Sequence, residues 1–167
     1  MPGKLILIGG VSRSGKSTLA QQLASKLDNS AYLEQDFVVR PEEELPTIQD
    51  RIDWDHPDSV DWISWQVAIE NNLRNYDWVI AEGIFAFANK ELNSKSHFTI
   101  ELIINQETFL EERREETRWG EEPEWFLEHV WQAHQRLRNP HNIQFDLNSS
   151  RNQIPELSVI VEQIINK

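Results

Sequence analysis

The chain has 167 residues (19.6 kDa), enough for one well-filled core and one domain spanning 1–167. A net charge of −12 and a pI near 4.8 exclude the basic face that nucleic-acid binding requires, and the absence of cysteine excludes disulfides, thiolate metal sites and a Cys nucleophile. No apolar run is long enough for a signal peptide or a bilayer span, so no membrane partner is expected and a reducing, cytoplasmic setting is.

Lys4 to Gly9 is a short apolar run closed by glycines and predicts a buried strand. Lys16 to Leu27 follows as a helix, with Leu19, Ala20, Leu23, Ala24 and Leu27 at helical spacing. Ala31 to Glu34 predicts a second strand. Arg40 to Pro57 is polar and broken by proline, which predicts a surface loop. Val60 to Leu73 reads as a helix capped by Asp58 or Ser59. Trp78 to Ala81 and Phe98 to Ile104 are further apolar strands. Thr108 to Trp119 predicts a charged helix in which Glu111/Glu115 and Glu112/Glu116 repel at i, i+4, so neighbouring arginines must offset them. Glu124 to Leu137 is an amphipathic helix, Ile143 to Phe145 a short fifth strand, and Glu156 to Ile165 a closing helix. Strands alternating with helices predict a three-layer α/β domain on a parallel sheet, with its ligand beyond the strands' carboxyl ends.

The segment Gly10-Val11-Ser12-Arg13-Ser14-Gly15-Lys16-Ser17-Thr18 has the spacing of a P-loop, after a strand and opening a helix. Each residue type has a task there. Glycines let the backbone curl so that successive N–H groups face phosphate oxygens. The helix start adds its positive end, Lys16 reaches the β- and γ-phosphates, and the Ser17 hydroxyl is placed to ligate Mg²⁺. The motif therefore predicts ATP with Mg²⁺ as ligands. It does not fix the reaction, because GTPases, motors and kinases share it. No Asn-Lys-x-Asp stretch supports a GTPase, and the small size favours a small-molecule kinase.

Two carboxylates end strands: Asp36, a candidate base toward an acceptor hydroxyl, and Glu82, a candidate metal-side acid. An Asp at a strand end can equally cap a turn. Arg113, Arg114 and Arg118 share a helix and are candidates for a lid over ATP, at about 113–124; solvated partners for the nearby glutamates are the alternative. Trp54-Asp55 pairs an aromatic plate with a carboxylate, as a sugar-plus-ring ligand requires, or else anchors a loop.

With these residues in place the chain resembles the nucleoside kinases of the uridine kinase and nicotinamide riboside kinase type, closer to the latter. The P-loop, Gln35-Asp36-Phe37, Trp54-Asp55, Ile80-Ala81-Glu82-Gly83, Arg113-Arg114-x-x-Thr117-Arg118 and His129-Val130-Trp131 fall in that family's order, from Lys4 to about Arg138. The resemblance implies a P-loop NTPase fold with a five-stranded parallel sheet and a small helical lid. It implies Asp36 as base, Asp55 on ribose hydroxyls, Trp54 over the base with Phe37 and Trp119 nearby, and Arg114 and Arg118 in the lid. Three departures fall on the acceptor side: Phe37 replaces a second Asp, Glu115 a third arginine, and the segment between Arg118 and His129 is short. Monomer and homodimer both remain open.

Overall fold

A computed structural model describes residues 2–118, 120–138, 145–148 and 157–166, the side chains of 145–148 and of Leu157 excepted. The main sheet contains β1 (Lys4–Gly10), β2 (Ser30–Glu34), β5 (Trp78–Gly83), β6 (Phe98–Ile103) and β7 (Phe145–Asn148), all parallel, in the order β2-β5-β1-β6-β7. Four of these strands have described side chains; β7 lies along β6 at the edge. The chain leaves β1 to one side for β2 and β5 and crosses to the other for β6 and β7. The crevice at the carboxyl end of β1 is thus the switch point where such sheets bind ligands.

Alternation along β1 divides the core. Ile6 and Ile8 face α1 (Lys16–Lys26) and α6 (Leu157–Ile165), meeting Leu19, Leu23, Ile160 and Ile164. Leu5 and Leu7 face the opposite layer, meeting Trp65 and Ile69 of α2 (Trp62–Leu73) and Leu92 of α3 (Lys90–Lys95). A third cluster lies next to the switch point: Phe109 of α4 (Gln106–Glu115) packs with Phe126 and Val130 of α5 (Glu124–Leu137), Val11 and Ile104. This cluster fixes the two helices that flank the site.

Several boundaries differ from expectation for local reasons. The helix over 60–73 begins at Trp62, not Val60, because Asp61 is its cap, Oδ1 accepting from Ser64 N at 3.0 Å. Val60 instead bridges to Val39, and Asp58 and Ser59 belong to a 3-10 turn. The charged helix starts at Gln106, where Asn105 Oδ1 accepts from Thr108 N, and ends at Glu115, four residues short of Trp119. The loop over 40–57 contains a small hairpin, β3 (Thr47–Ile48) with β4 (Arg51–Ile52). The α3 helix, unforeseen, is capped by Asn89, whose Oδ1 accepts from Glu91 N and Leu92 N. Ile143 and Glu156, expected to start the last strand and the last helix, lie outside the described residues.

Candidate active site

The loop between β1 and α1 is shaped by backbone conformations that few residues adopt. Gly10 has φ 156°, and a Cβ there would stand 2.5 Å from Ser14 Oγ and 2.7 Å from Leu102 O. Arg13 (φ 68°) and Gly15 (φ 93°) complete the curl. α1 then starts on Gly15 with no side-chain cap, so no side chain occupies the first-turn N–H groups. Lys16 is 7% exposed and forms no ion pair with any described residue, a costly state unless an anion is its counterpart. A triphosphate fits both features.

Behind the loop, Glu82 Oε1 accepts from Ser17 Oγ at 2.6 Å and from Tyr32 Oη at 3.2 Å. Burial pushes the Glu82 carboxyl above the usual range, against the pull of Lys16 and the Ser17 hydrogen bond, and Asp36 adds to the rise. Burial and the nearby Glu34 and Glu82 push the Tyr32 phenol upward too. The Ser17 hydroxyl and the buried Glu82 carboxylate that accepts from it are oxygen groups of the kind that would hold Mg²⁺. Among the described residues no group of three or more acidic or histidine side chains is placed to hold a metal ion.

In front of the loop opens a cavity of about 670 Å³. It is lined by Ser12 and Lys16 of the P-loop, by Asp36, Trp54 and Asp55, and by Arg113, Glu122 and Phe126. Asp36 is aimed here by its neighbour: Gln35 is buried, its Oε1 accepting from Phe85 N at 3.0 Å, so the 3-10 turn Gln35–Phe37 leaves Asp36 exposed to the cavity. Trp54 is 49% exposed. The anchor in that loop is Asp55, 5% exposed, with Arg113 Nη2 donating to its Oδ2 at 2.9 Å and His134 Nε2 3.6 Å from its Oδ1. Burial would raise the Asp55 carboxyl; His134 and Arg113 outweigh it and hold the group below its ordinary value.

The three arginines of α4 and its extension part company. Arg113 is buried between Asp55 and Glu122, donating to Glu122 from Nε at 2.6 Å and from Nη2 at 2.9 Å, and it lines the cavity. Arg114 points to the exposed side in a bidentate pair with Glu124, both bonds 2.8 Å. Arg118 is paired with Glu116 at 2.6 Å and lies within the field of Asp36. The Glu112/Glu116 repulsion is offset by a residue that spacing does not reveal: Arg13 of the P-loop reaches Glu112 at 3.4 Å and Glu116 at 3.0 Å, tying the loop to the end of α4. Arg118 and, more weakly, Arg13 hold the Glu116 carboxyl down to about 2.

Thus Lys16, Asp36, Trp54, Asp55 and Arg113 share one cavity. Phe37 does not line it and is 83% exposed. Trp119 lies outside the described residues. Arg51, Glu122 and Phe126, none singled out from sequence, border it as well. Phe126 lies on α5, whose amphipathic pattern was legible, whereas Arg51 and Glu122 reach the cavity from the hairpin and from the segment after α4. His129 Nε2, 2.7 Å from Asp53 Oδ2, pins the Trp54 loop to α5.

No family model matches the chain. Mouse (Mus musculus) nicotinamide riboside kinase 2 is 25% identical, the match covering 81% of this chain and 80% of that protein, a weak homology. Solved structures share the fold: thymidylate kinase from Candida albicans (TM-score 0.62, 22% identity, covering 99% of this chain and 92% of that one). A possible uridine kinase from Bacillus stearothermophilus follows at TM-score 0.59 and 16% identity, covering 89% and 90%. A gluconokinase from Sinorhizobium meliloti 1021 aligns at TM-score 0.57 and 21% identity, covering 99% and 90%. The chain has the α/β fold of the P-loop kinases. Among the described residues, no helix is long and apolar enough to cross a membrane.

Proposed function

We propose that the protein is an ATP-dependent kinase that transfers the γ-phosphoryl group to the 5′-hydroxyl of a nucleoside, with a pyridinium riboside such as nicotinamide riboside favoured over uridine. The observation that carries this reading is the single cavity holding Lys16 and Asp36 together with Trp54 and Asp55. A phosphate-side cation and an acceptor-side base must face the same space for in-line transfer.

The P-loop N–H groups and Lys16 take the β- and γ-phosphates and balance charge as the phosphoryl group moves. Ser17 and Glu82 would hold Mg²⁺, which would supply further charge neutralisation on the phosphates. Asp36 accepts the proton of the attacking hydroxyl, the new P–O bond forms, and ADP leaves. Arg118, near Asp36, is placed to close on the transferring group, and Arg114 belongs to the same lid. Trp54 covers the base of the acceptor. Asp55, with its lower rim set by Arg113, faces the ribose hydroxyls.

ADP release across a panel of nucleosides and small alcohols tests the reading, with kcat/KM for nicotinamide riboside and uridine compared in wild type and Trp54→Ala. A pyridinium ring over Trp54 gains a cation–π attraction of about 0.5–2 kcal/mol that uracil lacks, so nicotinamide riboside leads and loses more in the variant. Preference for uridine, or equal losses, rejects the cation argument. Turnover of a non-nucleoside alcohol alone moves the acceptor class, and ATP binding without any turnover leaves a nucleotide-binding module.

A further inference from the structure

The acceptor cavity contains a cation that the transfer chemistry does not use. Arg51, on β4 of the hairpin, lines the cavity with its guanidinium 5.2 Å from the centroid of the Phe126 ring. Phe126 is 2% exposed and fixed in the third core cluster, so the ring is a rigid seat. Cation–π contact restrains the guanidinium over that seat but consumes none of its N–H donors. Arg51 forms no salt bridge and donates no side-chain hydrogen bond to any described residue. Its neighbour Arg113 differs completely, being neutralised by Asp55 and Glu122. A pre-oriented, half-buried fork with unspent donors, facing a concave space, is complementary to a planar oxygen anion.

We propose that Arg51 is a specificity-determining residue that receives a carboxylate on the part of the acceptor remote from the hydroxyl that is phosphorylated. The proposal rests on the kinase reading above and sharpens the acceptor to alcohols carrying such a group. For a pyridinium riboside the effect is twofold. A ring carboxylate pairs with the fork, and it cancels the ring's own charge, which Arg51 would otherwise repel.

The test uses acceptors that differ only in this group: nicotinic acid riboside against nicotinamide riboside, and orotidine against uridine. kcat/KM is measured for wild type, Arg51→Gln and Arg51→Lys, with KM for ATP and Tm as controls on the fold. A charge-assisted pair of this kind is worth roughly tenfold or more in selectivity. Wild type therefore favours the carboxylate member of a pair by that factor. Arg51→Gln lowers kcat/KM for the carboxylate member of each pair roughly tenfold more than for its counterpart, and Arg51→Lys, which keeps charge without the fork, retains part of the preference. No preference in wild type, or equal losses for both members in Arg51→Gln, overturns the proposal and makes the side chain a packing element. If neither riboside is phosphorylated, shikimate and gluconate are the next acceptors. Turnover that depends on Arg51 then keeps this assignment and rejects the nucleoside reading alone. Turnover independent of Arg51, or none with any carboxylate acceptor, overturns it.

Discussion

Asp36 and Glu82 both end strands beside the P-loop, yet their surroundings give them opposite duties. Asp36 is exposed to the cavity and is the base in the proposed reaction; Asp36→Asn keeps its shape but cannot take a proton. Its kcat should fall roughly 10²–10⁴-fold with ATP affinity nearly unchanged, measured by steady-state kinetics and nucleotide binding. Collapse of ATP affinity with normal turnover would instead make it a metal-side residue. Glu82 is buried and its carboxyl is raised, so its protonated form suits the fold. Its favourable contribution is complete below the unfolded pKa and is lost as pH rises through the higher folded value. Glu82→Gln removes that burden while still accepting from Ser17. Without nucleotide the variant should melt at or above the wild-type temperature at pH 8, yet lose about tenfold or more in Mg²⁺-dependent turnover. A lower melting temperature would contradict the burial argument.

At the scale of elements, the Trp54–Asp55 loop, α4 and the segment after it meet in one buried ionic knot, Asp55–Arg113–Glu122. All three side chains are less than a tenth exposed. Removing the central cation leaves Glu122 without its partner and Asp55 with His134 alone. Arg113→Ala should therefore destabilise by about 3–5 kcal/mol in urea unfolding, more than an exposed pair such as Arg114–Glu124 could. An effect below about 1 kcal/mol would mean that the knot is solvated in solution. The same elements show where sequence reading ran out. α5 was legible to its ends, Glu124 and Leu137, because its apolar face is strongly periodic. α3 has six residues, too few for periodicity to register, and only the Asn89 cap announced it. The helix at 106–115 was placed late because its charged face masks the buried Phe109 and Glu112.

Across the whole molecule, acidity and stability are linked through the same knot. The Asp55 carboxyl is depressed in the fold, so its contribution is present above the ordinary Asp value and vanishes as pH falls through the folded one. Stability should drop steeply below about pH 4, and Asp55→Asn should flatten that slope, read from unfolding free energy against pH. A slope unchanged in the variant would assign acid sensitivity to the surface carboxylates of this −12 chain instead.

From the sequence came the strongest local patterns: the β1–loop–α1 P-loop segment, the α/β alternation and the approximate places of the strand-end acids. Those features are local, since backbone curl, helix start and apolar run each lie within about a dozen residues. Tertiary structure alone decided which distant groups share a wall. It turned Arg113 inward and Arg114 outward although they are adjacent, because α4 has only one face against the acceptor loop. It brought Arg13 to Glu112 and Glu116 and set Arg51 over Phe126, partners 99, 103 and 75 positions away in the chain. Separations of that size are bridged only by the crossings of the parallel sheet, and no local pattern encodes them.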